Sequence, residues 1–391
     1  MNRDEGALML PDGVVRLLKA LVAIGGVTFF AGLFLAPRRI WPDLLMASYF
    51  LLELSLAGIF FVALHYVTGA SWNVALRRIP EAMAVVLPVG AAGMAAVLLL
   101  HPGLYPWFGV TSLGGDPANA GFKSLWLNRP CFLARSAVYI ASWFAFATAI
   151  VRTSRRQDLN GDLSLTRRNA RLSAGFLVVF GVTLCLASFD WIMSLEPRWS
   201  STIFGIYDFA SLFLGGLAAL VILVVLVGRL APTQFLVTEA HMHDLGKLLF
   251  AFSTFWAYIW FCQYMLIWYA NIPEETAYFV ERQHGFWGPL FLLNLLLNWG
   301  VPFLALMPVR AKKSANVLLK VALVILLGRW LDLYLRIVPP FAGSKPVLGV
   351  WEISLTAGAV GLFVLLFFQA LQKAPLVPLK DPYLAESLHN S

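Results

Sequence analysis

The sequence predicts an all-α polytopic membrane protein with ten transmembrane helices, and two observations predict it. The first is composition: of 391 residues, 60% are hydrophobic and only 13% charged, with a mean hydropathy of +0.76. A soluble domain is nearer half apolar and a quarter charged. Apolar surface on this scale must face lipid or other helices, which excludes a soluble enzyme, a disordered chain and a disulfide-stapled secreted domain. The second is the recurrence of apolar runs of about 20 residues, the length that crosses a bilayer. They are continuous, whereas barrel strands alternate apolar with polar.

The spans justify themselves in order. The first, 14–36, closes at Pro37-Arg38-Arg39 and reads as a span rather than a signal peptide, since no small-residue cleavage site follows it. The second, 42–67, holds Glu53 and His65 and ends before Arg77-Arg78-Ile79-Pro80. The third, 81–101, opens with Glu81 and stops at His101-Pro102-Gly103. The fourth, 131–151, runs into an arginine-rich loop. The fifth, 172–195, contains Asp190 and stops at Glu196-Pro197. The sixth, 204–228, carries Asp208. The seventh, 244–270, begins with Asp244 and Lys247 and ends before Pro273-Glu274-Glu275. The eighth, 285–308, has Asn294 and Asn298 four apart, a spacing that joins helices by amide hydrogen bonds. The ninth, 316–337, carries Arg329, Asp332 and Arg336 and ends before Pro339-Pro340. The tenth is 350–372.

Charge sets the orientation. The net charge is +8. In a membrane protein such an excess marks cytoplasmic loops rather than nucleic-acid binding. The tails and loops 68–80, 152–171, 229–243 and 309–315 carry 15 Lys and Arg, against 7 in the alternate loops. Both termini are therefore expected in the cytoplasm. The opposite loops are rich in Trp and Pro, as suits an interfacial aromatic belt. The longest, 102–130, suits either docking on a partner or an ordinary extracytoplasmic loop.

Helices four apart in sequence cross in the same direction, and they share features. Asp190 and Asp332 each lie near the outer end of a span with a proline seven residues on, Pro197 and Pro339. Spans three and seven open with an acid, and spans two and six each hold one. This predicts a parallel repeat of two four-helix bundles, spans 2–5 (42–195) and 6–9 (204–337), with spans 1 and 10 peripheral, in one membrane domain over 1–391.

Ionisable residues within a span are expensive unless paired or hydrated, so each is a functional candidate. Arg329, Asp332 and Arg336 fall at i, i+3 and i+7 on one helix face. They read either as a static ion-pair clamp or as a proton route. Asp190 and Asp208 flank one short outer turn, so they are expected at similar depth. Two neighbouring acids in a low dielectric cannot both ionise cheaply, which suits proton exchange; capping the outer interface is the alternative. Glu53 is isolated in mid-span and calls for a proton or for a cation from another helix. His65, 12 residues on, is rotated about 120° from it, so a direct relay needs an intermediary. His241, His243, Asp244 and Lys247 mark the cytoplasmic mouth of span seven, as an interfacial patch or a proton entry.

No histidine pair sits at matching depth for a haem, and there is no phosphate loop or HExxH motif. The chain is thus expected to bind no cofactor and no metal and to contribute no catalytic residue. That leaves a proton- or quinone-handling subunit of a larger complex, or a proton-coupled secondary transporter.

Four stretches bring a resemblance: 188–207 (SFDWIMSLEPRWSSTIFGIY), 243–250 (HDLGKLLF), 263–275 (QYMLIWYANIPEE) and 329–334 (RWLDLY). Together they resemble the F subunit of bacterial alternative complex III, a quinol:electron-acceptor oxidoreductase, across spans two to nine. The resemblance implies a ten-helix fold like that of the NrfD/PsrC-like quinol subunits. It implies partners: a sister NrfD-like quinol subunit, haem c subunits, an iron–sulfur subunit, small membrane subunits and a terminal oxidase, in the bacterial inner membrane with its lipids. It places haem c and iron–sulfur clusters in those partners and quinol oxidation in the sister subunit, leaving a quinone or quinol site in this chain as an alternative. The expected role is scaffolding plus a proton-translocation path through Glu53, His65, Asp190, Asp208, Asp244, Lys247, Arg329, Asp332 and Arg336.

Overall fold

A computed structural model describes residues 10–109, 125–232 and 235–389. Residues 110–124, the middle of the loop read as a docking segment, lie outside them, as do Arg3 and Lys123 of the charge count. The described residues are helical, without strands.

Among the described residues ten long helices follow one another: α1 (Asp12–Leu35), α2 (Pro37–Thr68), α3 (Arg78–Leu100), α4 (Arg129–Asn160), α5 (Leu163–Trp191), α6 (Phe204–Leu230), α7 (Glu239–Ala270), α8 (Gly288–Leu306), α9 (Ala315–Ile337) and α10 (Val350–Leu371). Among the described residues, all but α9 are long and apolar enough to cross a membrane. At 23 residues α9 would reach roughly 34 Å, but Lys320, Arg329, Asp332 and Arg336 break its apolar character.

The elements differ from the expected spans mainly at their ends. Residues 152–171, expected as a loop, are helical except for Gly161 and Asp162. The arginines there favour helix, so α4 and α5 extend beyond the apolar run. The reversal needs Gly161, whose φ of +67° an L side chain resists. Asp162 then caps α5 through the Ser164 amide at 2.8 Å. A short amphipathic helix, Pro273–Gln283, precedes α8. Within α8, residues Leu296–Gly300 form one π turn.

Packing follows small residues. A Cβ on Gly216 of α6 would lie 1.9 Å from the Cβ of Ala57 on α2, so these two helices touch backbone to backbone. They are the two almost fully buried helices, with their core windows 94% and 89% buried. Helix α2 packs on α3 and α5, α3 on α4, and α4 on α5; α6 packs on α7 and α9, α7 on α8, and α8 on α9. These are two closed cycles of neighbours, joined where α2 and α5 meet α6. Outside them α1 packs on α10, with Gly25 against Gly358, and α10 on α2.

Hydrogen bonds define the two ends of the assembly. At one, the C-terminal segment straps α2, α3, α4 and α7: Asp381 pairs with Arg77, Lys380 reaches the Leu159 carbonyl, and Ser387 bonds Trp72, Ala75 and His241. Burial penalises the Arg77 charge, yet Tyr66 and Asp381 raise its pKa, so it stays ionised. At the far end, Trp41 stacks on His101, Trp199 on Tyr278, and Arg39 pairs with Glu352 at 2.6 Å.

Candidate functional site

Five of the residues singled out by sequence converge between α2, α6 and α9. Arg336 is the hub. Its guanidinium meets Glu53 at 3.1 Å, Asp332 at 3.1 Å and Asp208 at closer range. Arg329 lies 3.2 Å from Asp332, one helical turn away. All five are buried. Glu53, isolated in the sequence, is therefore paired with a cation from another helix.

Neutral groups complete the shell. Tyr49 donates to Asp208 at 2.5 Å, and Tyr207 donates to Asp332, as does Asn294 at 3.0 Å. Arg329 donates to Asn298 at 2.7 Å and lies over the Trp256 ring, 4.5 Å from its centre. The π turn of α8 sets Asn298 in place, with its carbonyl held by Ser253 at 2.6 Å; such turns are frequent at functional sites.

The charges do not cancel. Glu53, Asp208 and Asp332 face two guanidiniums, Arg329 and Arg336. A buried uncompensated charge costs several kcal/mol even after relaxation, so the neutral network holds one proton among its three acids. Asp208 accepts hydrogen bonds from Tyr49 and Arg336, and Asp332 accepts them from Tyr207, Ser211 and Asn294 while both guanidiniums lie within ion-pair distance. Among the described residues Glu53 accepts a single hydrogen bond, from Arg336, fewer than either aspartate, so the proton is best accommodated there.

The network borders a small cavity lined by Gln263, Tyr278, Arg282, Asn294, Asp332 and Arg336. Its volume of about 20 Å³ admits a single water. Among the described residues the Gln263 amide nitrogen, buried there, finds no hydrogen-bond partner. Beyond it, at the far end, Arg282 pairs with Glu196 and donates to the Leu335 carbonyl at 2.8 Å. Burial, partly offset by Arg282, pushes the Tyr278 hydroxyl up to about 12, so it remains a donor at neutral pH.

Asp190 does not join this group. Arg135 holds it with two bonds, 2.9 and 2.8 Å, while Tyr139 and Trp126 each donate at 2.9 Å. The expected pairing of Asp190 with Asp208 is not what the structure shows: each acid faces its own guanidinium, because α5 and α6 turn these side chains toward different neighbours. The Asp190 cluster is charge-balanced and its acceptor positions are filled.

His65, Asp244 and Lys247 lie apart as well, at the strapped end. They line a cavity of about 540 Å³ whose apolar walls include Leu64, Phe213 and Leu248. His65 Nδ1 is 2.7 Å from the Phe61 carbonyl, which can only accept, so Nδ1 carries the hydrogen. Asp244 and Lys247 pair at 2.5 Å and are partly exposed. His241 closes a cap with Thr238 rather than joining them. Among the described residues no three His, Cys, Asp or Glu gather as a metal ion would require.

Sequence reasoning missed Tyr49, Tyr207 and Arg135. Arg135 was legible as a charge inside the fourth apolar run with Tyr139 four residues on. Tyr49 and Tyr207 were not, because tyrosine is unremarkable in an apolar helix until its hydroxyl meets a carboxylate. In comparisons with known proteins, the chain matches no family model and no curated protein sequence.

Proposed function

We propose that this chain is an integral membrane subunit of a respiratory quinol:electron-acceptor oxidoreductase, scaffolding the complex and carrying a proton-exchange site. The four sequence stretches quoted above support the complex. The single observation that supports the proton role is the buried network of three acids and two arginines, whose neutrality requires a proton. On this reading α9 is a tenth span and the two cycles of helices are two four-helix bundles. The strapped end faces the cytoplasm of a bacterial inner membrane, consistent with the 15-to-7 bias of Lys and Arg. Haem c and iron–sulfur clusters belong to the partner subunits, and quinol is oxidised in the sister subunit.

The chemistry rests on this chain's own groups. Glu53 holds the proton, and Arg336 couples it to Asp208 and Asp332, so that a charge change at one acid is felt by the others. The water-sized cavity beside Asp332 gives the network an outlet toward the far end. The test is the purified complex in liposomes, driven by quinol and an acceptor. Glu53→Gln and Asp332→Asn complexes should turn over with reduced acidification per electron. Wild-type proton yields from assembled variants would sink the proton-path reading.

A further inference from the structure

The two cavities lie on either side of an apolar layer of aromatic rings. On α2, Glu53 and His65 are 12 residues apart, about 18 Å of helix rise. Between them lies a run of ring contacts that crosses four helices. Phe60 of α2 meets Phe180 of α5 at 5.4 Å and, on α6, Phe209 at 5.1 Å and Phe213 at 4.9 Å. Phe213 meets Phe252 of α7 at 4.5 Å. Phe213 is also part of the lining of the strapped-end cavity. Immediately beside this layer, the space between Ala57, Gly58, Phe213, Gly216 and Leu220 has no room for a water. On α6, the polar side chains Asp208 and Ser211 stop at this level, and residues 212–227 are apolar or glycine.

We propose that this phenylalanine layer is an insulating plug that confines proton exchange by the Glu53 network to the far end of the protein. The proposal rests on the proton-exchange reading above and adds its sidedness. A proton needs a hydrogen-bonded chain of water or side chains, and an apolar layer too tight for water provides none. The far-end cavity touches Asp332 and Arg336 directly, whereas the strapped-end cavity ends on Phe213. His65, Asp244 and Lys247 thus share water with one side, and the network with the other. Crossing from side to side then requires the rings to part, so the plug sets which solution the network equilibrates with.

The test is passive proton leak into proteoliposomes carrying the complex and an entrapped pH dye, without quinol or acceptor. Its outcome is therefore independent of whether turnover moves protons. Wild-type vesicles should be as tight as protein-free ones. Phe213→Asn, or Phe60→Ser if the first variant does not assemble, places a polar group in the layer. Leak should rise by about tenfold or more, the effect of a barrier lowered by little more than 1 kcal/mol. Adding Glu53→Gln should return it to background. Tight vesicles from an assembled plug variant overturn the proposal, and so does a leak that survives Glu53→Gln. A second measurement needs no plug variant: in vesicles of one orientation, the infrared band of the protonated carboxyl should follow a pH jump on the far side alone. A band that follows a jump on the strapped side overturns the proposal too.

Discussion

Charge counting makes Glu53 and Asp332 respond differently to the same kind of substitution. Glu53→Gln replaces a protonated carboxyl by a neutral isostere. Arg336 keeps Asp208 and Asp332, the network becomes two acids and two arginines, and no proton is needed. The hydrogen bond from Arg336 at 3.1 Å has an acceptor in either side chain, so the cost should stay below about 1 kcal/mol. Asp332→Asn removes the acid that faces both arginines, at 3.1 and 3.2 Å. Arg336 retains Glu53 and Asp208, but Arg329 is left with the neutral Asn298 and the Trp256 ring. Stranding one member of a buried ion pair costs about 3–5 kcal/mol. The remaining acids, Glu53 and Asp208, then balance two arginines, so Glu53 must release its proton. Both variants should therefore lose the infrared band of a protonated carboxyl, Glu53→Gln with stability intact and Asp332→Asn with stability reduced. Unfolding in a detergent titration reads the energy, and infrared difference spectra read the proton. Equal destabilisation of the two variants, or a band that persists in Asp332→Asn, would refute the count.

Two further predictions concern the frame. A Cβ on Gly358 would come 2.8 Å from the Gly25 backbone, and backbone cannot yield as a side chain can. Gly358→Leu should part α1 from α10 while leaving the network intact, detected as protease cleavage near α1 with an unchanged carboxyl band; an uncleaved α1 would contradict it. Asp162, fully exposed, is held below the usual carboxylate range by its bonds to Ser164. Its capping contribution is thus in force at neutral pH and is lost as pH falls through that lowered value. The protection factor of the amides at the start of α5, which corrects for the intrinsic pH dependence of exchange, should fall on acidification in the wild type but not in Asp162→Asn, and an identical pH response in both would exclude the cap.

Much of the architecture lies in the one-dimensional pattern. Lipid demands that every span satisfy its own backbone, so apolar runs map onto helices whatever their neighbours are. That is why 42–67 and 204–228 reappear inside α2 and α6 with shifts of a few residues at most of their ends. The stripe Arg329, Asp332, Arg336 was legible for a related reason: helix periodicity alone puts these residues on one face. Glu53 and Asp208 could be recognised as costly, but not as partners of that stripe, since 283 residues separate Glu53 from Arg336. Pairing across such a distance is decided by which helices touch, and here the Ala57–Gly216 contact brings α2 and α6 together. The same packing assigned Asp190 to Arg135 and separated His65 from Glu53 by a layer of rings. Sequence by itself determined the helices and the residues too expensive to leave unpaired. Only the tertiary structure decided how those charges add up, because neutrality is a property of the whole cluster and not of any one span.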